Sequence, residues 1–115
     1  MDDCVFCMIA DGKIPAQKVY EDEKVIAFKD LSPQAPVHVL IIPKKHIQSV
    51  AKLQSEDKDL VSHIFVDVAP KLAKDLGVDD GGFRLVINTG EDGGQTVNHL
   101  HVHLLGGRKM TWPPG

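Results

Sequence analysis

Three histidines alternate with apolar residues in the segment HLHVHLL, which contains His99, His101 and His103. In a β-strand, successive side chains point to opposite faces, so the three imidazoles would share one face and the residues between them would enter a core. Imidazoles bind metals, exchange protons near neutral pH and attack phosphorus. The row is therefore a polar strand surface, part of a metal site or a set of catalytic groups.

A glycine-rich loop, TGEDGGQT, leads directly into this row. Gly90, Gly93 and Gly94 allow backbone N–H groups to turn inward together, which is a geometry that holds phosphate oxygens. No G-K-[ST] follows, so the loop is not a Walker loop. A phosphate loop before three imidazoles predicts nucleophilic attack on phosphorus, with neighbouring imidazoles sharing the proton and charge. The metal alternative stays open, because H-x-H can supply two ligands of a three-histidine zinc site.

The elements that must position these groups follow from hydrophobic periodicity. We predict a short helix over Val5–Ala10 and a long one from Ser55, as N-cap, to residue 76, with Pro70 bending or interrupting it. Short apolar or β-branched runs predict five strands over residues 19–21, 25–29, 37–43, 83–88 and 99–105. Strands joined by short turns, with one inserted long helix, indicate an α+β fold with a mainly antiparallel five-stranded sheet.

Length and composition limit the classes of protein. The chain has 115 residues, 43% hydrophobic residues and a formal net charge of -3, which fits one soluble domain over residues 1–115. No positive field would recruit nucleic acid or an anionic membrane. The acidic N-terminus has no signal-peptide pattern, and no apolar run reaches the roughly 18–20 residues of a membrane span. We therefore expect a cytoplasmic protein without nucleic-acid or membrane partners.

The other histidines and one carboxylate have less specific surroundings. His38 lies among apolar strand residues, which favours a hydrogen-bonded core histidine unless another strand brings the triad beside it. His46 follows a strand end and is a ligand, a cap or a surface residue. His63 falls on the polar side of the long helix, so we expect a solvated side chain. Asp30 either caps its turn or, near the phosphate loop, accepts hydrogen bonds from a ribose.

Three segments together resemble the histidine-triad family: DLSPQAPVHVLIIPKKHI, GGQTVNHLHVHLLGGR and the terminal WPPG. They are similar to the histidine-triad nucleotide-binding proteins, in the purine nucleoside phosphoramidase branch. The resemblance implies a homodimer, formed partly through the long helix, that hydrolyses P–N bonds of AMP or GMP phosphoramidates without a catalytic cofactor. Two alternatives remain: a dinucleoside polyphosphate hydrolase or nucleotidyl transferase of the same family, and a non-catalytic nucleotide-sensing partner protein.

The resemblance also implies residue roles. His101 matches the nucleophile, His103 the contact to the α-phosphate and leaving group, His99 an orienting residue and His38 a further site histidine. Asp30 matches the ribose-binding carboxylate. Leu31 lies beside Asp30 in this match. Four residues match the apolar pocket around the purine: Phe6, Ile9, Ile14 and Phe28. Four more match phosphate contacts: Asn88, Gly94, Gln95 and Thr96, the last replacing a common Ser. Trp112, in the tail, matches a residue that reaches the partner's site, and we expect this lone Trp to pack on a surface.

Cys4 and Cys7 form a C-x-x-C pair, which departs from phosphoramidases that lack it. Without a secretion signal, such a pair indicates redox or metal chemistry more than a structural disulfide. With His46 and His99 it would supply the four ligands of a tetrahedral zinc, and some bacterial members of the family resemble this pattern. Four protein ligands leave no open position, so the zinc would be structural. The alternative is two buried cysteines acting as small apolar residues.

Overall fold

The computed structural model describes residues 4–115, and its centre is a five-stranded sheet. The strand bounds are β1 Lys18–Glu21, β2 Val25–Lys29, β3 Val37–Pro43, β4 Phe83–Val86 and β5 Val102–Gly106. The order is β1-β2-β3-β5-β4, and every neighbouring pair is antiparallel. A short helix, α1 (Val5–Ala10), precedes the sheet, and a long helical segment lies between β3 and β4. The predicted α+β fold is confirmed.

The sheet has two buried faces, because its side chains alternate between two apolar clusters. In β2, Val25 and Ala27 enter the cluster with the long helical segment, whereas Ile26 and Phe28 enter the cluster with α1. This alternation arises because successive side chains of a strand point to opposite faces of the sheet. The α1 face is the one that matters for the site, since β3 and β5 place histidines on it.

The long helical segment is interrupted where the sequence predicts it. It consists of a 3-10 turn (Ser55–Asp57), α2 (Lys58–Ser62), a π-helical stretch (His63–Val68) and α3 (Ala69–Asp75). Pro70 has no N–H to donate, and its ring crowds the carbonyl four residues earlier, so a wider turn ahead of it relieves both problems. Among the described residues, no helix is long and apolar enough to cross a membrane.

The beginning of this segment differs from the prediction. Ser55 lies inside the first turn, and Gln54 is the N-cap. The Asp57 carboxylate accepts the Gln54 N–H at 2.9 Å and a hydrogen bond from Lys45 Nζ at 2.7 Å. The prediction of Ser55 as the N-cap was wrong. Lys45, which is distant in the sequence, holds the Asp57 carboxylate where it accepts the backbone N–H of Gln54, so Gln54 takes the N-cap position.

Four strand ends also differ from the prediction, two of them by a single residue, since β1 begins at Lys18 and β5 ends at Gly106. β4 ends at Val86, two residues before Asn88, and β5 begins at Val102, so His99 and His101 precede the strand. Pairing with β3 begins only at Ile41 opposite Val102. Beyond that point the Leu100 N–H donates to the Ile47 carbonyl instead, at 2.6 Å. The chain leaves the ladder here although β3 continues to Pro43, and the apolar residues between the histidines still enter the helix-side core.

Candidate active site

The pairing of β3 with β5 brings His38 to the triad. Leu40 lies opposite His103 and His38 opposite Leu105, so His38 and His103 are diagonal neighbours on the α1 face. His38 Nε2 is 2.9 Å from His103 Nδ1. The sequence left open whether another strand would bring the His row beside His38, and this register does so.

A chain of hydrogen bonds assigns the protons of these two imidazoles. The Gln34 N–H donates to His38 Nδ1 at 3.0 Å, so the His38 proton sits on Nε2 and is donated to His103 Nδ1. A neutral His103 then carries its own proton on Nε2. Burial lowers the pKa of His38, although Asp30 opposes this with its Oδ2 3.5 Å from His38 Nε2. Burial, together with His101 and His38, lowers the pKa of His103 to about 4. Both rings are neutral at pH 7, and His103 presents an N–H donor.

His101 presents the opposite chemistry. Its side chain is buried, and its Nδ1 lies 2.7 Å from the His99 carbonyl oxygen. Because a carbonyl only accepts, Nδ1 carries the proton, and the neutral ring has its lone pair on Nε2. The ring packs edge-to-face on Phe6 and on His103, and its centroid is 5.1 Å from the ring centroid of each. The structure thus places an imidazole with an available nitrogen lone pair beside an imidazole N–H donor.

These two histidines open onto a cleft of about 300 Å³, which is the size of a small-molecule site. Of the residues predicted to form a nucleotide site, the cleft brings together Phe6, Ile9, Phe28, Asp30, Leu31, Thr96, His101 and His103. Sequence reasoning missed seven further residues that line it: Val5, Pro15, Ala16, Gln17, Lys29, Leu40 and Val97. Leu40 could have been found from the register of β3, but Val97 lies in an irregular segment without a periodic signal.

Asp30 has two roles at the rim of this cleft. Its Oδ1 accepts the Ser32 N–H at 2.7 Å, so the carboxylate caps its turn. Its Oδ2 is 3.5 Å from His38 Nε2, and Asp30 also lines the cleft. The turn cap and the ribose contact, which the sequence left as alternatives, are compatible because they use different oxygens.

The other predicted contacts lie outside the residues that line the cleft. Ile14 packs against the α1-side cluster. In the loop, the Gln95 amide accepts the Gly90 N–H at 3.0 Å and donates to the Gln48 carbonyl at 2.7 Å. The N–H groups of Gly94 and Gln95 donate to Glu91 and Gly90 carbonyls. These N–H groups are thus used inside the loop, whereas Asn88 is half-buried next to it. Their phosphate contacts stay predictions.

The Trp112 indole is not covered by other residues of the single chain. It is 81% exposed. The tail is held through backbone carbonyls: Arg84 donates to the Thr111 oxygen at 2.9 Å, and Arg108 donates to the Gln34 oxygen at 2.9 Å. Such contacts fix the backbone without covering the indole, so the packing of Trp112 on a partner's surface stays a prediction.

Cys4, Cys7, His46 and His99 converge beside the triad. Their ligand atoms all lie within 4.8 Å of one another. His99 Nε2 donates to the Pro43 carbonyl at 2.8 Å, so the lone pair of its neutral ring is on Nδ1, 3.3 Å from Cys4 Sγ and 3.5 Å from Cys7 Sγ. His46 Nδ1 is 3.2 Å from Cys7 Sγ. In metal-binding histidines, one ring nitrogen commonly donates to a backbone or carboxylate partner, which orients the other nitrogen toward the metal. His99 has this arrangement, and two thiols with two imidazoles are a ligand set that suits zinc.

His63 is more than the solvated residue that we predicted. Its Nε2 is 2.6 Å from Asp22 Oδ2, and its Nδ1 is 2.8 Å from Asp67 Oδ2. Hydrogen bonds to these two carboxylates raise the pKa of His63. The prediction missed Asp22 because that residue lies in the distant β1–β2 turn.

An antiparallel α+β sheet with clustered histidines opening onto a small apolar cleft defines a histidine-centred small-molecule site. A model of the family described as scavenger mRNA decapping enzyme C-terminal binding matches residues 3–112. An uncharacterized HIT-like protein of Synechocystis is 52% identical over 99% of this chain and 98% of its own length.

Solved structures agree with the sequence comparison. A HIT family hydrolase from Legionella pneumophila is 52% identical, with a TM-score of 0.95 over 98% of this chain and 100% of that one. A histidine triad protein from Clostridium difficile is also 52% identical, with a TM-score of 0.93 over 96% of each chain. The chain belongs to the histidine-triad (HIT) family.

Proposed function

We propose that this chain is a nucleotide hydrolase that cleaves the P–N bond of purine nucleoside 5'-phosphoramidates through a nucleotidyl-His101 intermediate. The observation that carries the proposal is the hydrogen bond from His101 Nδ1 to the His99 carbonyl, which leaves Nε2 as an unprotonated nucleophile beside the cleft. The family membership and the structural similarity to HIT family hydrolases support a hydrolase.

The two steps use the imidazoles in their assigned protonation states. The lone pair of His101 Nε2 attacks the α-phosphorus, a new P–N bond forms, and the bond to the amine breaks. The Nε2–H of His103 donates a hydrogen bond to the leaving nitrogen, which departs as the amine with one proton taken from solvent. Water then attacks phosphorus, the bond from phosphorus to His101 Nε2 breaks, and the water returns one proton to solvent, which releases the nucleoside monophosphate and restores His101.

Detection of the intermediate tests this mechanism. We expect adenosine 5'-phosphoramidate to be hydrolysed, and rapid acid-free quenching followed by peptide mass spectrometry to find one nucleotidyl group on His101. A dinucleoside polyphosphate assayed in parallel separates the substrate classes. Cleavage of that compound alone would refute the P–N specificity but leave the nucleophile in place. Absence of both activities, with nucleotide still bound, would favour a nucleotide-sensing protein.

We further propose that Asp30 binds the ribose. Its location at the rim of the cleft, with Oδ2 turned toward His38, supports this role. Asp30→Asn should weaken binding of a ribonucleotide more than that of its 2'-deoxy counterpart, by about 1–3 kcal/mol for a charge-assisted hydrogen bond. Calorimetric titration with both nucleotides measures the difference. Equal losses would show that Asp30 only caps its turn.

A structural zinc on Cys4, Cys7, His46 and His99 is part of the proposal. When bound, it would fasten α1 to the segment that carries the triad, and it supplies no catalytic water because four protein ligands complete its shell. An open depression of about 480 Å³ borders Cys4 and His46, so metal and chelator can reach the cluster. Elemental analysis of protein purified without a metal-affinity tag should find about one zinc per chain. Less than about a tenth of an equivalent, unchanged after adding zinc under reducing conditions, would refute it.

A homodimer is the assembly that we propose. Its support is the apolar surface that one chain leaves uncovered: Phe83 on the edge strand β4 is 38% exposed, Val66 is 67% exposed, and the Trp112 indole is free. Analytical ultracentrifugation at micromolar concentration should find a dimer. A monomer there would contradict it and would also remove the role of Trp112 at a partner's site.

A further inference from the structure

The thiol–imidazole cluster and the nucleophile share one residue, His99. The His99 side chain is fully buried, with Nε2 bonded to Pro43 and Nδ1 turned toward the two sulfurs. Its main-chain oxygen is the acceptor that holds the His101 proton on Nδ1. A displacement of His99 therefore moves the carbonyl oxygen that accepts the His101 Nδ1 proton, and this oxygen is the group that selects the tautomer of His101.

Phe6 makes a second connection between the same two places. It lies in α1, between Cys4 and Cys7 in the sequence, and its ring contacts His99 at 5.9 Å and His101 at 5.1 Å. Cys4 also caps α1, since its Sγ accepts the Cys7 N–H at 3.3 Å. The position of α1 thus sets the position of an aromatic ring against the nucleophile. A helix of this length has little stability of its own, so an external anchor matters.

We infer that the Cys4/Cys7/His46/His99 cluster is a positioning site for the nucleophile, and that a metal held there selects the Nδ1–H tautomer of His101. His99 and Phe6 are the positioning residues. The catalytic consequence rests on the proposed function, whereas the tautomer itself does not. With the cluster empty, α1 and His99 lose their common anchor, and the bond from His101 Nδ1 to the His99 carbonyl is no longer enforced.

Cys4→Ser is the sharpest variant, because serine still caps α1 but is a poor zinc ligand. Val68→Ala is the matched control. Val68 is 1% exposed in the core on the opposite face of the sheet, so its truncation lowers stability without touching His99 or Phe6. Both variants are compared with zinc-loaded wild type under conditions where all are fully folded.

Nitrogen-15 NMR of the imidazoles reads the tautomer directly, since protonated and lone-pair ring nitrogens have well-separated shifts. We expect a single Nδ1–H form of His101 in wild type and Val68→Ala, and a mixture in Cys4→Ser. We also expect kcat for P–N hydrolysis to fall about 10–100-fold in Cys4→Ser, with KM changed much less. Cadmium added to chelator-stripped wild type should restore the single tautomer.

A folded Cys4→Ser protein that keeps only the Nδ1–H form would overturn the inference, as would a wild type that binds neither zinc nor cadmium. If Cys4→Ser does not fold, His46→Gln replaces it, because glutamine keeps a side chain of similar size against the His99 ring, whose centroid is 5.0 Å from that of His46, but is a poor zinc ligand. A wild type without P–N hydrolysis, but with a metal-dependent tautomer, would refute the proposed function and leave the positioning role standing.

Discussion

Two regions of this chain use the same side chain in opposite ways. On the α1 face of the sheet, His38, His99 and His103 are held with lowered pKa values, chiefly because burial disfavours the charged ring. On the helical segment, His63 lies between Asp22 and Asp67, and its pKa is raised. Burial removes solvent from the first set, whereas carboxylates supply countercharge to the second.

The contrast teaches which histidines can act on a nucleotide. A neutral imidazole has one lone pair and one N–H, so hydrogen bonds can decide which nitrogen is nucleophile and which is donor. A protonated imidazole has two donors and no lone pair. His63 is therefore an ion-pair partner that joins the β1–β2 turn to the helical segment, and the buried set is suited to catalysis.

The largest expected effect is on turnover. His101→Ala should lower kcat by at least about 10³–10⁴, because the nucleophile defines the pathway and only binding and electrostatics would remain. His63→Ala is the comparison, and its kcat should stay within about twofold of wild type. Steady-state hydrolysis of adenosine 5'-phosphoramidate measures both. Near-normal kcat in His101→Ala would remove the mechanism.

His38→Ala should have a smaller effect, a loss of about 10²-fold in kcat, since it removes the donor that sets the His103 tautomer but leaves the nucleophile. His38→Gln provides the control, because an amide N–H can still donate to His103 Nδ1. We expect the Gln variant to recover part of the rate. Equal rates for the two variants would indicate that His38 matters for packing alone.

The acid stability of the protein should depend on His103. Its folded pKa of about 4 lies below the unfolded value of roughly 6.5, so its contribution is present above pH 6.5 and is lost as the pH falls toward 4. We expect a loss on the order of 2 kcal/mol over this range, which His103→Gln should lack. Urea unfolding at a series of pH values gives both curves, and parallel curves would contradict the buried neutral state.

The smallest expected effect concerns His63, and its pH dependence has the opposite sign. Its folded pKa is raised, so its contribution is complete below about pH 6.5 and is lost as the pH rises through the folded value. The lowered pKa of Asp22 keeps that partner ionised through this window; hydrogen bonds from Tyr20 and His63 outweigh the opposing effect of burial. His63→Gln should cost about 0.5–1 kcal/mol at pH 6 and less at pH 9.

A neighbouring ion pair serves as control for this last measurement. Lys71 Nζ is 2.7 Å from Asp75 Oδ2 on the exposed side of α3, and this ion pair contains no imidazole. Lys71→Gln should therefore cost the same small amount at both pH values. If His63→Gln behaves in the same way, the carboxylates do not hold His63 in its charged form.

Local pattern alone determined much of this protein. The short apolar and β-branched runs in 25–29 and 37–43 were sufficient to predict β2 and β3 to the residue, and the helix that begins at Val5 was predicted from its own short apolar run. These features depend on near neighbours in the chain, whose side-chain directions follow from backbone period. The segment HLHVHLL predicted the placement of the imidazoles in the same way, because side-chain alternation separates them from the core residues even where the strand has not begun.

Only the tertiary structure decided which groups meet and where each proton resides. His38 and His103 are 65 residues apart, and their contact exists because β3 and β5 pair in one particular register. Three other features have the same origin. They are the approach of His46 to the cysteines, the hydrogen bonds that the N–H groups of the glycine loop make within the loop, and the contact between His63 and Asp22. Such contacts depend on how distant segments pack into one core, and no local periodicity encodes that distance.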